Sequence, residues 1–176
     1  FADVASVYAQ PPSARNEGQF RARVGVAVQA SVTAHLVADV PVGVFLSGGI
    51  DSSAILSAAS GDGAAPLNTY TVRFDDRSSE HEYARLVARS FGATHHELRL
   101  DASQITRDLP RILARLDQPT IDAVNTFYVS QAVAATGIKV VLSGTGGDEL
   151  FGGYRSFARL PFAVRLKRAA GPTMAH

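Results

Sequence analysis

Two short apolar runs, Val42-Gly43-Val44-Phe45-Leu46 and Ile138-Lys139-Val140-Val141-Leu142, each give way at once to a glycine-rich loop. This repeated arrangement constrains the fold more than any other feature of the chain. Each run is too short for a helix and reads as a buried strand. The loops are Ser47-Gly48-Gly49-Ile50-Asp51-Ser52-Ser53 and Ser143-Gly144-Thr145-Gly146-Gly147-Asp148-Glu149. After the first, Ser53 to Ala59 reads as a helix. Gly48 and Gly49 let the backbone turn tightly and approach a ligand, and the helix start supplies unpaired N–H groups and a positive dipole end. Such a place suits an anion, to which Ser47, Ser52 and Ser53 add hydroxyl donors. The loop has no lysine, so it is not the GxxxxGK[ST] phosphate loop. Asp51 beside a polyphosphate is repulsive unless a divalent cation lies between them. The same residues also suit a plain turn, with Asp51 and Ser52 as helix caps.

The second loop repeats this logic. Gly137 ends a helix-like stretch, and Ser143 to Gly147 can form a nest of N–H groups, with Asp148 standing where Asp51 stands in the first loop. If the two strands are parallel neighbours, both loops emerge at the carboxyl edge of the sheet, where open α/β folds bind ligands. Asp51 and Asp148 would then share one Mg2+. Gly152-Gly153-Tyr154 reads as a further turn.

The rest of the chain supplies helices and strands in alternation. Phe20, Val24, Val28, Val32 and Leu36 recur every fourth residue and predict a helix that ends before Pro41. Asn68 to Phe74 reads as a strand, and Gly61-Asp62-Gly63 with Pro66 as the connection before it. Ser79-Glu80-His81-Glu82 matches a capping box, with Tyr83, Leu86, Val87 and Phe91 as the apolar face of a helix closed by Gly92. His96 to Leu100 alternates as a strand. Ile105, Leu109, Ile112, Leu113 and Leu116 predict helical packing, divided by Pro110, and Thr126 to Thr136 predicts a helix leading to strand 138–142. The order implies an α/β fold with a doubly wound, mainly parallel sheet.

Composition narrows the function classes. With 176 residues and 46% hydrophobic content, the chain suits one soluble domain. A net charge of +1 favours no particular partner. No apolar run approaches a membrane span, and no signal-type core is present, so the expected location is cytoplasmic. The absence of cysteine removes disulfides, thiolate metal sites and cysteine nucleophiles. Phe1 to Glu17, with Pro11-Pro12, reads as a linker, which spans 1–18 as a domain boundary, and the chain reads as a fragment of a longer protein. His95-His96-Glu97 invites a metal reading, but adjacent strand residues point to opposite faces, so the two histidines do not share a metal. Arg155, Arg159, Arg165, Lys167 and Arg168 form a basic stretch in which Phe157, Leu160 and Val164 hint at a stripe broken by Pro161. It is read as the start of a helical region (155–176), with neither a nucleic-acid nor a membrane partner. On chemistry alone Val72 is a core residue, and Asp117 to Thr126 is a loop whose Asn125 caps the next helix or which lines a substrate site.

The segment Val40 to Ser53 resembles the pyrophosphate loop of the asparagine synthetase family, in the ATP-pyrophosphatase domain of its glutamine-dependent members. Val140 to Tyr154 resembles that family's second signature, and the likeness extends to Ala93-Thr94-His95-His96-Glu97 and Asp117-Gln118-Pro119. SGGxDS alone marks the wider group of AMP-forming pyrophosphate-loop enzymes, and the second signature narrows it. The resemblance implies an ATP-pyrophosphatase domain over 19–154 with the pyrophosphate-loop, adenine nucleotide alpha hydrolase-like fold. It implies that Ser47, Gly48, Gly49, Ser52 and Ser53 hold pyrophosphate, that Asp51 and Asp148 carry Mg2+, and that Phe45, Val72, Ser143 and Gly144 contact ATP. It places the acceptor, aspartate or a similar carboxylate, near Asp117, Asp122, Asn125, Thr145 and Glu149. The implied reaction is AMP-forming amide synthesis by way of an acyl-adenylate, with ammonia from a glutaminase domain upstream in the parent chain. Other readings are a β-lactam-synthetase-like relative and a nucleotide-binding module without turnover. The chain departs from the pattern at Thr145, where the family has a glutamate.

Overall fold

The computed structural model describes residues 6, 9, 16–61, 65–74, 80–118, 120, 122–157, 159, 162 and 165. The sequence features at Pro11-Pro12, Asp62-Gly63, Ser79, Pro119, Leu160, Pro161, Val164, Lys167 and Arg168 lie outside the described residues. The elements run α1 Glu17–His35, β1 Val42–Phe45, α2 Ile50–Ala59, β2 Asn68–Phe74, α3 Glu80–Ser90, β3 Thr94–Leu100, α4 Ala102–Leu113, α5 Ala123–Ala135, β4 Val140–Leu142 and α6 Gly147–Phe151.

Four parallel strands lie in the order β3-β2-β1-β4. The chain therefore builds outward from β1 to β3 and then crosses back to place β4 on the other side of β1. The opposed directions make the β1–β4 boundary a topological switch point. Register pairs Val44 with both Thr69 and Leu142, so the carboxyl ends of β1 and β4 fall side by side. This is the doubly wound α/β arrangement that the alternation predicts.

Each face of the sheet has its own core. On one face Val44, Leu46 and Leu56 pack with Ala84 and Ala88 of α3, and Val32 of α1 joins Ala58 and Ala59 of α2. On the other, Tyr70 packs with Val129, Val133 and Ile138, and Leu100 with Ile112, Ala123 and Tyr128. Gly43 has a packing reason: a Cβ there would stand 2.9 Å from the Tyr70 ring, whose hydroxyl bonds Thr136 Oγ1 at 2.6 Å.

Several local expectations are corrected. Helix α1 starts at Glu17, inside the stretch read as linker, because Asn16 Oδ1 accepts the Gln19 N–H at 2.9 Å and caps it. The buried face of α3 is Ala84 and Ala88, while Tyr83 and Leu86 are 58% and 61% exposed. Small residues let α3 approach β1 and the following loop more closely than large ones would. Helix α4 continues through Pro110 as one element rather than two. Asn125 lies within the first turn of α5 and does not cap it; Asp122 holds the cap position, with no side-chain bond.

Candidate functional site

The first loop leaves the sheet gradually. The Leu46 N–H still donates to the Tyr70 carbonyl at 2.9 Å, one residue past the end of β1. Gly48 then adopts φ +79°, and a Cβ at that position would stand 2.6 Å from Ala84 N and 2.8 Å from Tyr83 Cβ. Only glycine lets the turn seat against α3 in this conformation. Gly49 occupies the cap position of α2 and the helix begins at Ile50, three residues before the predicted start. Asp51 and Ser52 therefore sit in the first turn and are not caps.

Hydroxyl groups build the turn from inside. Ser52 Oγ, in a buried residue, accepts the Ser47 N–H at 3.3 Å and donates to the Gly49 carbonyl at 3.2 Å. Ser47 Oγ accepts the Gly49 N–H at 3.3 Å, and Ser53 Oγ donates to the Gly49 carbonyl at 2.7 Å. The three hydroxyls expected to face a ligand are thus engaged in shaping the loop. What the loop offers outward is backbone: the first-turn N–H groups of Ile50, Asp51 and Ser52 have no intrahelical acceptor, because the Ser53 N–H makes the first helical bond, to Gly49. Ile50 is 88% exposed at this mouth.

The second loop follows β4. Ser143 Oγ accepts the Thr145 N–H at 3.2 Å and pairs with Thr145 Oγ1 at 2.8 Å, which ties the threonine hydroxyl to its own loop. Gly146 has φ +95°, α6 begins at Gly147, and Gly152 at φ +71° ends it. Tyr154 donates its hydroxyl to Glu149 Oε1 at 2.7 Å. That bond holds the Glu149 carboxyl below the usual carboxylate range, so Glu149 is an anion near neutral pH and a poor base. The Tyr154 hydroxyl is pushed up by the same bond, and the charges of Asp148 and Asp122 act in the same direction.

The two loops touch. A Cβ on Gly144 would stand 3.2 Å from both Asp51 Cβ and Ser52 N, and one on Gly147 would stand 2.5 Å from Asp51 Oδ2. Gly153 stands against the Asp148 carboxylate in the same way. The glycines of the second signature are therefore the space into which the two aspartates fit. Asp51, Ser52, Gly144 and Gly147 form one constellation, and Glu149, Asp148 and Asp122 gather around Tyr154. Among the described residues there is no group of three or more His, Cys, Asp or Glu placed to hold a metal by protein ligands alone. Two carboxylates completed by phosphate oxygens and water are the donor set of Mg2+ rather than of a structural Zn2+.

Other expected residues stand further from this constellation or serve the core. Phe45 and Val72 are half-buried and pack with Tyr70 and Val129, at the edge of the core facing α5. Asp117 and Asn125 are exposed, and among the described residues no hydrogen bond links either to the loops. His95 and His96 separate as the strand alternation requires: His95 Nδ1 meets Thr69 Oγ1 at 2.8 Å, while His96 stacks on Tyr70 with its Nε2 on Asn68 at 2.9 Å. Burial holds the His95 ring below its usual pKa. Arg85 donates two bonds to Glu97, at 2.9 and 2.8 Å. No sequence pattern marks Tyr154 as the partner of Glu149, or Arg73 as more than a residue of β2. In the sequence, Arg73 stands out only as the one charged residue of Asn68 to Phe74, next to the carboxyl end of that strand.

Comparison with known proteins bears on the family and the fold. The family model described as asparagine synthase matches residues 23–174. The chain is 39% identical over 162 residues to a putative asparagine synthetase (glutamine-hydrolyzing) of Mycobacterium tuberculosis, covering 90% of this chain and 24% of that protein. It is 36% identical to asparagine synthetase (glutamine-hydrolyzing) 1 of Bacillus subtilis, covering 88% of this chain and 24% of that one. Asparagine synthetase B (glutamine-hydrolyzing) of Escherichia coli is 37% identical, with 80% and 28% covered. The chain thus spans about a quarter of the length of these curated relatives. In fold it is similar to the NH3-dependent NAD synthetase of Campylobacter jejuni, at TM-score 0.51 and 14% identity, covering 76% of this chain and 60% of that one. With the family model matched over most of its length and both glycine loops brought together at the switch point, the chain belongs to the asparagine synthase family.

Proposed function

We propose that this chain is the ATP-handling part of an AMP-forming amide synthetase that makes asparagine from aspartate. The observation that carries the reading is the junction of the two loops at the β1–β4 switch point, with the Asp51 carboxylate against Gly147. In this reading the substrate carboxylate attacks the α-phosphorus of ATP and pyrophosphate leaves. Ammonia then attacks the acyl carbon, and AMP departs with the electron pair of the broken acyl–oxygen bond. Attack by an ionised carboxylate needs positioning and charge neutralisation more than a base. That requirement suits a site in which Thr145 has no charge and Glu149 is held ionised.

Each residue has a role in this reading. The N–H groups of Ile50, Asp51 and Ser52 take the pyrophosphate oxygens at the positive end of α2, with Ser47, Ser52 and Ser53 keeping the loop in shape. Phe45, Val72, Ser143 and Gly144 bound the nucleotide. Asp51 and Asp148 would hold Mg2+, which when bound offsets the charge on the phosphoryl oxygens. Asp122, Glu149 and Thr145, with Asp117 and Asn125, border the acceptor. Residues 19–154 are the ATP-pyrophosphatase unit, 155–176 open a helical region, and a glutaminase domain upstream supplies the ammonia.

The Thr145 hydroxyl bond to Ser143 favours a second reading, a relative that adenylates a different carboxylic acid. Assay of the full-length protein with aspartate, glutamine and ATP separates the two. Asparagine and AMP in equal amounts support the first; AMP formed only with another carboxylic acid moves the assignment to the second. Absence of any carboxylate-dependent AMP refutes both.

A further inference from the structure

Neither glycine loop carries a cation. Ser47 to Ser53 contains Asp51, and Ser143 to Tyr154 contains Asp148 and Glu149, with no lysine or arginine in either. A polyphosphate adds several negative charges, and one Mg2+ between two aspartates leaves the site negative.

β2 runs past the end of β1 beside the first loop. Phe45 pairs with Tyr70, and Gly48 and Arg73 each lie three residues further along. Thr69, Thr71 and Arg73 share one face of β2. That face belongs to α3: Thr69 meets His95, and Glu97, on the same side of β3, is bonded by Arg85 of α3. Gly48 turns toward the same helix, against Glu80, Tyr83 and Ala84. Arg73 thus stands at the level of the loop and on the face toward which the loop turns.

Arg73 Nε is buried and has no hydrogen-bond partner, and no ion pair to Arg73 occurs among the described residues. A buried donor without an acceptor is costly, and native structures rarely keep one without a use. Among the described residues, the other buried, unpartnered side-chain nitrogens are His81 Nδ1 and His95 Nε2. His95 Nε2 faces the Glu97 carboxylate at 3.6 Å, and His81 sits in the first turn of α3, where its charge favours the ionised form of Glu97.

We infer that Arg73 is a binding residue for the pyrophosphate portion of the nucleotide, supplying the cation that the loop lacks. The inference rests on the ATP reading proposed above. A guanidinium suits the role because its planar fork bonds two phosphate oxygens at once and it stays charged at every relevant pH.

The test is calorimetric titration of the intact protein with Mg-pyrophosphate, Mg-ATP and AMP. Arg73→Met keeps the aliphatic stem and should weaken pyrophosphate and ATP about 10- to 100-fold while AMP changes by less than about twofold. Arg73→Lys should fall between, and Arg73→Gln replaces Arg73→Met if the latter does not fold. Unchanged pyrophosphate affinity in a folded variant overturns the inference and leaves the ATP reading standing. Equal weakening of all three ligands also overturns it, because a merely structural role has no preference for the distal phosphates. A wild-type protein that binds neither ATP nor pyrophosphate refutes the ATP reading itself.

Discussion

Gly48→Ala tests whether the first loop depends on its close seat against α3. Gly48 has φ +79°, in the left-handed region, where a Cβ costs about 1–2 kcal/mol. The added methyl would also meet Ala84 N at 2.6 Å and Glu80 O at 3.0 Å. Both are backbone atoms of a packed helix and cannot swing aside, so forcing it in costs a further ~1–3 kcal/mol. The expected loss is about 2–5 kcal/mol, a large share of the ~5–15 kcal/mol that holds a typical domain. Gly146→Ala is the matched control: its φ is +95°, but nothing lies within 4 Å of the added Cβ. It should cost only the conformational part, about 1–2 kcal/mol. Urea unfolding of both variants, read as midpoint shifts at constant slope, separates the two contributions. If Gly48→Ala is no less stable than Gly146→Ala, the tight seat on α3 is wrong. The surviving fraction of Gly48→Ala should also bind Mg-ATP poorly, because the shifted loop no longer aims its N–H groups together.

Asp51→Asn and Asp148→Asn should each abolish Mg2+-dependent ATP–pyrophosphate exchange with little change in melting temperature, since neither side chain caps a helix. Wild-type exchange rates in either variant would refute the shared-metal reading. For His95, burial keeps the folded-state pKa below the usual value near 6.5, so the stability from its neutral ring is complete above that pH and is lost as pH falls through the folded value. Glu97 is held low chiefly by its bond from Arg85, so its own contribution is lost at still lower pH. Melting temperature should therefore fall from pH 7.5 to 5, and His95→Gln should flatten that slope. An identical slope in wild type and variant would show that another group titrates.

The sequence by itself determined the local chemistry. Short β-branched runs next to glycine and serine clusters define strands and tight turns through covalent geometry and sterics, which act over a few residues. The positions of both loops, the parallel alternation and Asp51 and Asp148 were legible for that reason. The tertiary structure decided what each loop packs against. Strand order β3-β2-β1-β4 sets β4 beside β1, and only that adjacency makes Gly144 and Gly147 the room for Asp51. Helix α2 starts at Ile50 rather than Ser53 because the Ser52 hydroxyl folds back onto Ser47 and Gly49, a closure invisible in a pattern of apolar residues. Helix α3 buries Ala84 and Ala88 instead of Tyr83 and Leu86 because close approach to β1 and Gly48 excludes large side chains. Arg73 reads as one residue of a strand until the register places it level with Gly48. Contacts of this kind join residues tens of positions apart, and their free energy depends on packing that no local window of sequence contains.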